Sequence, residues 1–456
     1  MTVSRRDFPA DFAWGTATAS YQNEGATEVD GRGTSIWDVF ARTHGAINDG
    51  STGDVADDHY HRFREDVRIM SDLGLNSYRF SIAWPRIQPT GSGPANQAGL
   101  DFYRRLVDEL QAQGIAAYAT LYHWDLPQSL EDEGGWLDRD TANRFADYAG
   151  IVSEALGTGV AQWITLNEPW CSAFLGYAAG AHAPGRRVGK LAGRAAHHLM
   201  LGHGLAVPAI RAADGSASVG ITLNLTPSVA RTERPEDVEA ARRIDGLANR
   251  LFLDPVLTGA YPDDVVEDLE LGEWLAPTKE ADLAVIAAPI DFVGINYYFR
   301  NTVGAGDHDT EPRLDHPTST PVRFYSTTDR RTHMGWPITP DGIIEVLSMV
   351  HDRRPELPIA ITENGAAYDD RVEDGAIHDE DRRAFLESHI DACARAIEQG
   401  LPLVGYFIWT LTDNWEWAWG FSRRFGLVRV DYGSLERTVK DSGRWLAEFL
   451  SAGDDA

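Results

Sequence analysis

Two glutamates stand at the ends of apolar, β-branched segments of the chain. Glu168 closes the segment 162–168 (QWITLNE), and Glu363 closes the segment 358–363 (PIAITE). Each has an asparagine next to it in the chain, before the first glutamate and after the second. Cleavage of a glycosidic bond requires a pair of facing carboxyl groups, one protonated and the other ionised. The two segments therefore predict this chemistry, provided that the fold brings the two glutamates together.

The two carboxyl groups must differ in pKa if one is to donate a proton while the other attacks or activates water. Arg79 and a tyrosine hydroxyl such as that of Tyr298 would stabilise the charge of Glu363. Glu168 is followed by a proline and a tryptophan, where loss of water and the nearby charge of Glu363 would raise its pKa. We therefore expect Glu363 to be the ionised group and Glu168 to be the acid.

Eight short segments rich in β-branched and aromatic residues recur along the chain. Most of them are continuously apolar, which is typical of parallel strands buried on both faces. These predicted strands span residues 12–17, 77–82, 117–122, 162–167, 219–224, 291–297, 358–363 and 404–410.

Helical patterns lie between these strands and end at glycine, which can take the left-handed cap conformation without a Cβ penalty. The clearest patterns, each ending on its glycine, span 61–74, 101–114, 140–157 and 380–400. This alternation predicts an α/β fold, a single (β/α)8 TIM barrel that forms one catalytic domain over residues 1–456. A doubly wound open sheet is the alternative, but no G-x-G-x-x-G phosphate turn follows an early strand. The stretch 301–335 is polar and irregular, and it is long for a barrel connection.

Composition and charge limit the partners. The chain has 456 residues, of which 43% are hydrophobic, and a formal net charge of −28, which disfavours nucleic acid and anionic membranes. Cys171 and Cys393 show no zinc or redox spacing, so we expect reduced thiols. The start Ser4-Arg5-Arg6 lacks the apolar region of an export signal, and no apolar stretch approaches ~20 residues. We expect a cytoplasmic protein without a membrane span, and homo-oligomer formation stays open.

Polar and aromatic residues follow nearly every predicted strand. In a TIM barrel the active site lies at the C-terminal ends of the strands, so these side chains should converge on one mouth. Besides the two glutamates, the candidates from strand ends and the loops after them are Gln22, Arg79, His123, Trp124, Asn167, Asn296, Tyr298, Trp409, Glu416 and Trp417.

The segments around these residues resemble glycoside hydrolase family 1, the β-glucosidase family. TLNEP at 165–169 and ITENG at 361–365 match the two glutamate motifs of that family. N-E-P alone also occurs in other barrel glycosidases, whereas the whole set in this order is specific. The resemblance covers nearly the full chain through FAWGTATASYQNEGA (12–26), YRFSIAWPRI (78–87), TLYHWDLP (120–127), GAHAPG (180–185), GINYY (294–298) and NWEWAWGFSRRFGLVRVDY (414–432).

The resemblance implies a role for each matched residue. Glu363 would be the nucleophile and Glu168 the acid/base of a retaining enzyme, with carboxyl groups about 5–5.5 Å apart. Arg79, Asn296 and Tyr298 would fix the nucleophile, and no metal or organic cofactor is implied. The implied sugar-binding residues are Gln22, His123, Trp124, Asn167, Asn296, Tyr298, Trp409, Glu416, Trp417 and Phe425, and the aglycone entrance is implied at Cys171, Asn224 and Trp336.

Two residues depart from the family pattern. Asn23 stands where an aliphatic residue usually follows the glutamine of the first motif, and Trp415 stands where phenylalanine usually precedes Glu416. Both lie next to implied sugar contacts, so they could reshape the wall of the pocket. We expect an exo-acting β-glucosidase on β-glucosides or short oligosaccharides such as cellobiose, with a β-galactosidase or β-fucosidase of broad specificity as the alternative.

Four other functions are less consistent with the residues. Glu416 would repel the dianion of a 6-phospho-β-glycoside, and the plant thioglucosidases lack the acid/base glutamate that Glu168 supplies here. A sugar-binding protein that has lost catalysis would be expected to lack one carboxylate. An endo-acting glycanase needs an open groove, whereas Gln22 and Glu416 would close the far side of the sugar site.

Overall fold

The computed structural model describes residues 3–307, 309–311, 313–317, 321–326 and 330–452. The strands in these ranges are β1 Ala13–Ala17, β2 Ser77–Ser81, β3 Ala116–Tyr122, β4 Gln162–Asn167, β5 Val219–Asn224, β6 Ser228–Ala230, β7 Phe292–Asn296, β8 Asn301–Ala305, β9 Val322–Tyr325, β10 Ile359–Asn364, β11 Val372–Glu373, β12 Ala376–Ile377, β13 Leu403–Trp409, β14 Val428–Val430 and β15 Arg437–Val439.

Eight of these strands form a closed barrel. The order around it is β1-β13-β10-β7-β5-β4-β3-β2, and β2 pairs with β1 to complete the ring. Every pair in the ring is parallel. The predicted TIM barrel is confirmed, and each of the eight predicted strands matches a barrel strand to within one residue at either end.

Helices cover the outside of the barrel between consecutive strands. The helices predicted from glycine-terminated patterns are present as α3, α5, α7 and α15, and all four glycines have positive φ. A π-helix over Cys171–Ala179 follows β4 directly. The α-helices of the described residues are α1 Ser20–Asn23, α2 Ile36–Ala41, α3 His59–Asp72, α4 Trp84–Ile87, α5 Gln97–Ala112, α6 Gln128–Asp132, α7 Asp140–Leu156, α8 Ala192–Ala213, α9 Pro235–Asp245, α10 Leu251–Thr258, α11 Asp263–Asp268, α12 Gly272–Leu275, α13 Lys279–Ile286, α14 Gly342–His351, α15 Glu380–Glu398 and α16 Asp441–Ser451.

The inside of the barrel is packed with side chains. The rings of Tyr118 in β3 and Phe407 in β13 lie 4.7 Å apart between centroids, and β1 and β2 separate these two strands in the ring. The contact therefore crosses the interior. Gly15 in β1 makes room for it, because a Cβ at this position would come within 2.4 Å of Phe407. A filled interior leaves the C-terminal ends of the strands as the place for a cavity.

The prediction that 301–335 is irregular is wrong in part. β8 and β9 pair antiparallel within this stretch, and β6 adds to β8 on its other side. β8 (NTVGA) has a single large apolar residue and β9 (VRFY) has only four residues, so both lack the apolar segment that identified the barrel strands. Positions 308, 312, 318–320 and 327–329 of the same stretch lie outside the described residues.

None of the helices in the described ranges is both long and apolar enough to cross a membrane.

Candidate active site

Glu168 and Glu363 both lie at the mouth of the barrel. Glu168 follows β4 directly, and Glu363 is the last residue but one of β10. Their side chains are buried, with 6% and 3% of the residue surface exposed, and their charges interact. The backbone of Glu168 is left-handed, with φ of 46°, and its N–H donates to Thr222 O of β5 at 3.0 Å. A non-glycine residue in this region is uncommon and occurs preferentially at functional sites.

Glu363 is held by a cation and a phenol. Arg79 at the centre of β2 donates from Nη1 to Glu363 Oε1, and the hydroxyl of Tyr298 donates to Oε2 at 2.7 Å. The other amino group of Arg79 donates to Asn167 Oδ1 at 2.5 Å. The guanidinium is fully buried, so its charge acts on Glu363 with little screening by water. The predicted support of Glu363 by Arg79 and Tyr298 is thus present as direct contacts.

Glu168 has neutral donors instead. Asn296 at the end of β7 donates from Nδ2 to Glu168 Oε1 at 2.6 Å, and the thiol of Cys171 lies 3.1 Å from Oε2. Thr362 donates to Asn296 Oδ1 at 2.8 Å, which fixes the amide so that its N–H group faces Glu168. Among the described residues no lysine or arginine forms an ion pair with Glu168. The two glutamates therefore differ in the charge of their nearest neighbours.

This difference sets which carboxyl group holds a proton. Burial and the charge of Glu363 raise the pKa of Glu168 to about 7, as the sequence predicted in direction. Burial also raises the pKa of Glu363, but the guanidinium of Arg79 and the hydroxyl of Tyr298 act against that shift. Because only Glu363 touches a cation, a single proton shared by the pair resides on Glu168.

Aromatic rings form one wall of the site. The rings of Trp124 and Trp417 lie 4.6 Å apart, and His123 lies 5.9 Å from both Trp409 and Trp417. Burial and the charge of Arg79 hold the pKa of His123 well below its usual range, so the imidazole is neutral. Trp124 and Trp417 have φ of 79° and 45°, so together with Glu168 they bring left-handed backbone to the same mouth.

A third carboxyl group lies beyond this wall. Gln22 donates from Nε2 to Glu416 Oε2 at 3.2 Å and to the backbone oxygen of Trp415 at 3.0 Å. Burial and the charge of Glu363 raise the pKa of Glu416 to about 8. At neutral pH Glu416 is therefore mostly a neutral acid, which can donate as well as accept a hydrogen bond.

These groups surround one cavity of about 810 Å³, large enough for a sugar and a sizeable aglycone. Gln22, Arg79 and Asn167 are not among the lining residues, and each instead contacts a lining side chain directly. The predicted residues that line the cavity are His123, Trp124, Glu168, Cys171, Asn224, Asn296, Tyr298, Trp336, Glu363, Trp409, Glu416, Trp417 and Phe425.

The outer part of the cavity contains residues that the sequence did not identify. Several come from 301–335, the stretch that was predicted to be irregular, and His182 comes from the quoted GAHAPG segment. Spacing gave no signal for Phe299 and Arg300, which lie between β7 and β8, or for Trp170, which directly precedes the π-helix. These additional residues include Trp170, His182, Phe299, Arg300, Arg313, His316, Phe324, Tyr325 and Met334.

Among the residues with described positions, no group of three or more histidine, cysteine, aspartate or glutamate side chains could hold a metal ion. His197 and His203 of α8 instead bond Asp282 and Thr165.

A closed parallel barrel with a pair of interacting, buried carboxyl groups at its C-terminal mouth defines the class of barrel glycoside hydrolases. The sequence determines to which family of this class the chain belongs. Residues 4–454 match the model for glycosyl hydrolase family 1, and the chain belongs to this family.

Individual relatives agree with this assignment. The chain is 48% identical over 458 residues to a bifunctional β-D-glucosidase/β-D-fucosidase of Bifidobacterium breve, covering 97% of this chain and 98% of that protein. It is 45% identical to β-glucosidase A of Thermotoga maritima, with 98% of both chains covered. The crystal structure of a psychrophilic β-glucosidase from Micrococcus antarcticus superposes with a TM-score of 0.93 at 45% identity, again with 98% of both chains covered.

Proposed function

We propose that this protein is a retaining, exo-acting β-glucosidase with Glu363 as the nucleophile and Glu168 as the acid/base. The observation that carries this proposal is the unequal surroundings of the two carboxyl groups. Arg79 and Tyr298 hold Glu363 as the ion that attacks the anomeric carbon. Glu168, with its pKa raised to about 7, keeps the proton that the leaving oxygen needs.

The same contacts account for the second half of the reaction. Attack converts Glu363 into a neutral ester, which removes the negative charge that helps to raise the pKa of Glu168. The pKa of Glu168 then falls after it has given up its proton. It becomes a base that takes a proton from water, and the water releases the sugar from Glu363. Two displacements at the same carbon leave the sugar with its original configuration.

The roles of the remaining residues in binding are part of this proposal. His123, Trp124, Trp409, Glu416 and Trp417 would surround the terminal sugar, assisted by Gln22, Asn167, Asn296, Tyr298 and Phe425. The contact of Gln22 with Glu416 closes one side of the site, which favours removal of a single terminal sugar. The aglycone would lie towards Cys171, Asn224 and Trp336, where the cavity continues outward. Cellobiose and other short β-linked glucosides fit this arrangement.

The state of the two cysteines bears on the cellular compartment of the protein. Cys171 and Cys393 are both buried free thiols, as is usual for proteins of a reducing compartment. We propose a cytoplasmic location on this basis.

A substrate panel tests the proposed activity. We expect fast release of p-nitrophenol from the β-glucoside, slower release from the β-galactoside, and negligible release from β-glucoside 6-phosphate. The phosphate would lie beside Glu416, which is bonded to the neutral amide of Gln22 and offers no cation to balance the charge of the dianion. Proton NMR of the first product should show the β-anomer before mutarotation. An α-anomer, or release from the phosphorylated sugar alone, would contradict the proposal.

A second candidate activity is β-fucosidase. Its support is the relative from Bifidobacterium breve, which is described as acting on both sugars. The β-fucoside in the same panel decides the question, since kcat/KM for fucoside and glucoside can be compared directly.

The pKa of Glu168 predicts the alkaline side of the pH profile. The acid must be protonated to donate, so kcat/KM should fall as pH rises through about 7, tenfold for each further unit. On the acid side Glu363 must be ionised, and its raised pKa places that limit above the usual range for glutamate. Measuring kcat/KM for an alkyl β-glucoside, whose leaving oxygen needs the proton, across this range checks both limits. Activity that stays constant well above neutral pH would show that Glu168 is not the group that must be protonated.

A further inference from the structure

Cys171 touches the acid/base glutamate although it belongs to no known step of the proposed reaction. It is the first residue of the π-helix Cys171–Ala179, and its Sγ lies 3.1 Å from Glu168 Oε2. Its backbone N–H donates to Glu168 O at 2.9 Å, so the thiol and the carboxyl group are joined through both backbone and side chain. The amide of Asn224 on β5 donates from Nδ2 to the sulfur at 3.8 Å. The sulfur is thus held in place beside the carboxyl group.

The thiol is protonated and can therefore donate. Burial and the charge of Glu168 raise the pKa of Cys171 well above its usual range, which excludes a thiolate at neutral pH. The S–H group is a weak donor and the sulfur is also a weak acceptor. The amide nitrogen of Asn296, which bonds the other oxygen of Glu168, can only donate. Of the two side chains of the described residues that bond the carboxyl group of Glu168, only Cys171 can respond to both of its protonation states.

We infer that Cys171 is a positioning residue for Glu168, donating its S–H to Oε2 when the carboxyl group is ionised and accepting from Oε2–H when it is protonated. This inference rests on the proposed function of Glu168 as acid/base. Because the contact is available in both states, the carboxyl group would keep one orientation through the two halves of the reaction. A partner that can only donate would turn away, or be repelled, when Oε2 carries the proton.

Other groups also act on Glu168, and the test must separate them from the thiol. The charge of Glu363 on β10 raises its pKa, and the charge of Arg79 on β2 lowers it. Tyr298 after β7 and Glu416 after β13 also interact electrostatically with Glu168. None of these groups bonds to Cys171 among the described residues. A substitution at Cys171 therefore removes one donor and leaves the charged neighbours in place.

The test is the pH dependence of kcat/KM in Cys171→Ala and Cys171→Ser. Cys171→Ala loses the thiol both as donor to the ionised form and as acceptor for the protonated form, but the bond to the charged form is the stronger of the two. The pKa of Glu168 therefore rises, and the alkaline limit of Cys171→Ala should move up by about half a unit to one unit of pH. Cys171→Ser retains a group that both donates and accepts, and its alkaline limit should stay at or below that of the wild type. The shift should be the same for two alkyl glucosides with different aglycones, because the limit belongs to the free enzyme. A change confined to KM for one aglycone would instead indicate only a packing role.

Cys393→Ala is the matched control. Cys393 is the other buried free thiol and lies in α15, outside the cavity. Its replacement removes the same atoms and lowers thermal stability, but the alkaline limit should not move. Infrared spectroscopy of the S–H stretch gives a second readout: the band lost in Cys171→Ala should shift in the wild type as Glu168 titrates, and the band of Cys393 should not.

Two results would overturn the inference. One is an alkaline limit in Cys171→Ala that coincides with that of the wild type. The other is an S–H band of Cys171 that does not change as Glu168 titrates. Either result would leave the proposed function intact as long as Glu363→Ala is inactive and the β-glucoside is cleaved with retention. If Glu363→Ala stayed active, or if the β-glucoside were not cleaved with retention, the proposed function and the inference about Cys171 would both lose their basis.

Discussion

Replacing Glu363 with alanine should abolish hydrolysis of every β-glycoside that the wild type cleaves, with kcat lower by about 10⁴-fold or more, as when other enzymes lose a nucleophile. The proton on Glu168 cannot compensate, because no other carboxylate of the described residues is held against Arg79. Truncation also leaves a small space beside the guanidinium of Arg79, where an anion is favoured. Azide in that space would attack the anomeric carbon while Glu168 still protonates the leaving oxygen. The expected product is the α-glycosyl azide, identified by NMR.

Glu356→Ala is the control for this prediction. Glu356 is exposed in the loop before β10, so its removal changes the charge of the protein equally without touching the site. Its kcat should equal that of the wild type. A Glu363→Ala protein that retains more than trace activity, or that forms the β-azide, would assign the nucleophile to another residue, and Glu416 would then be the first to examine.

The barrel could be predicted from the sequence because buried parallel strands have a strong local signal. The segments 162–167 and 219–224 are continuously apolar, and the structure begins and ends β4 and β5 at those same residues. The strands β8 and β9 gave no such signal, because β8 (NTVGA) has a single large apolar residue and β9 (VRFY) has only four residues. The apolar content of a segment thus decided whether its residues identified it as a strand.

The rule that the active site of a TIM barrel lies at the C-terminal ends of its strands also placed the two glutamates correctly at one mouth. It could not give the contacts that hold them there. Asn296 donates to Glu168 from 128 positions away, and Arg79 reaches Glu363 across 284 positions. Cys171 and Glu168 are only three positions apart in the sequence. Their contact nevertheless depends on a π-helix and on the left-handed backbone of Glu168, which no sequence pattern predicted. The raised pKa of Glu363 was missed for a related reason, since complete burial outweighs the cation that the sequence did identify.

Replacing Glu168 with alanine should separate the two halves of the reaction according to the leaving group. p-Nitrophenolate leaves without a proton, so the first step should survive and the second, which needs a base, should slow. Mixing enzyme with this substrate should give a burst of p-nitrophenol followed by slow turnover, as expected when the glycosyl-enzyme accumulates. An alkyl glucoside or cellobiose needs the acid in the first step, and its rate should fall by about 10²–10⁴-fold without a burst.

The anomer of the azide product and the pH profile of Glu168→Ala then test whether Glu168 is the acid/base. Azide needs no base, so it should attack the glycosyl-enzyme from the face that water uses and give the β-glycosyl azide, the opposite anomer to that from Glu363→Ala. The fall in kcat/KM above about pH 7 should also disappear, because the group with that pKa is gone. Glu154→Ala, an exposed position in α7, is the control and should retain both the wild-type rate and the alkaline limit. Unchanged hydrolysis of an alkyl glucoside by Glu168→Ala would contradict the assignment, since an alkoxide cannot leave at that rate without a proton donor.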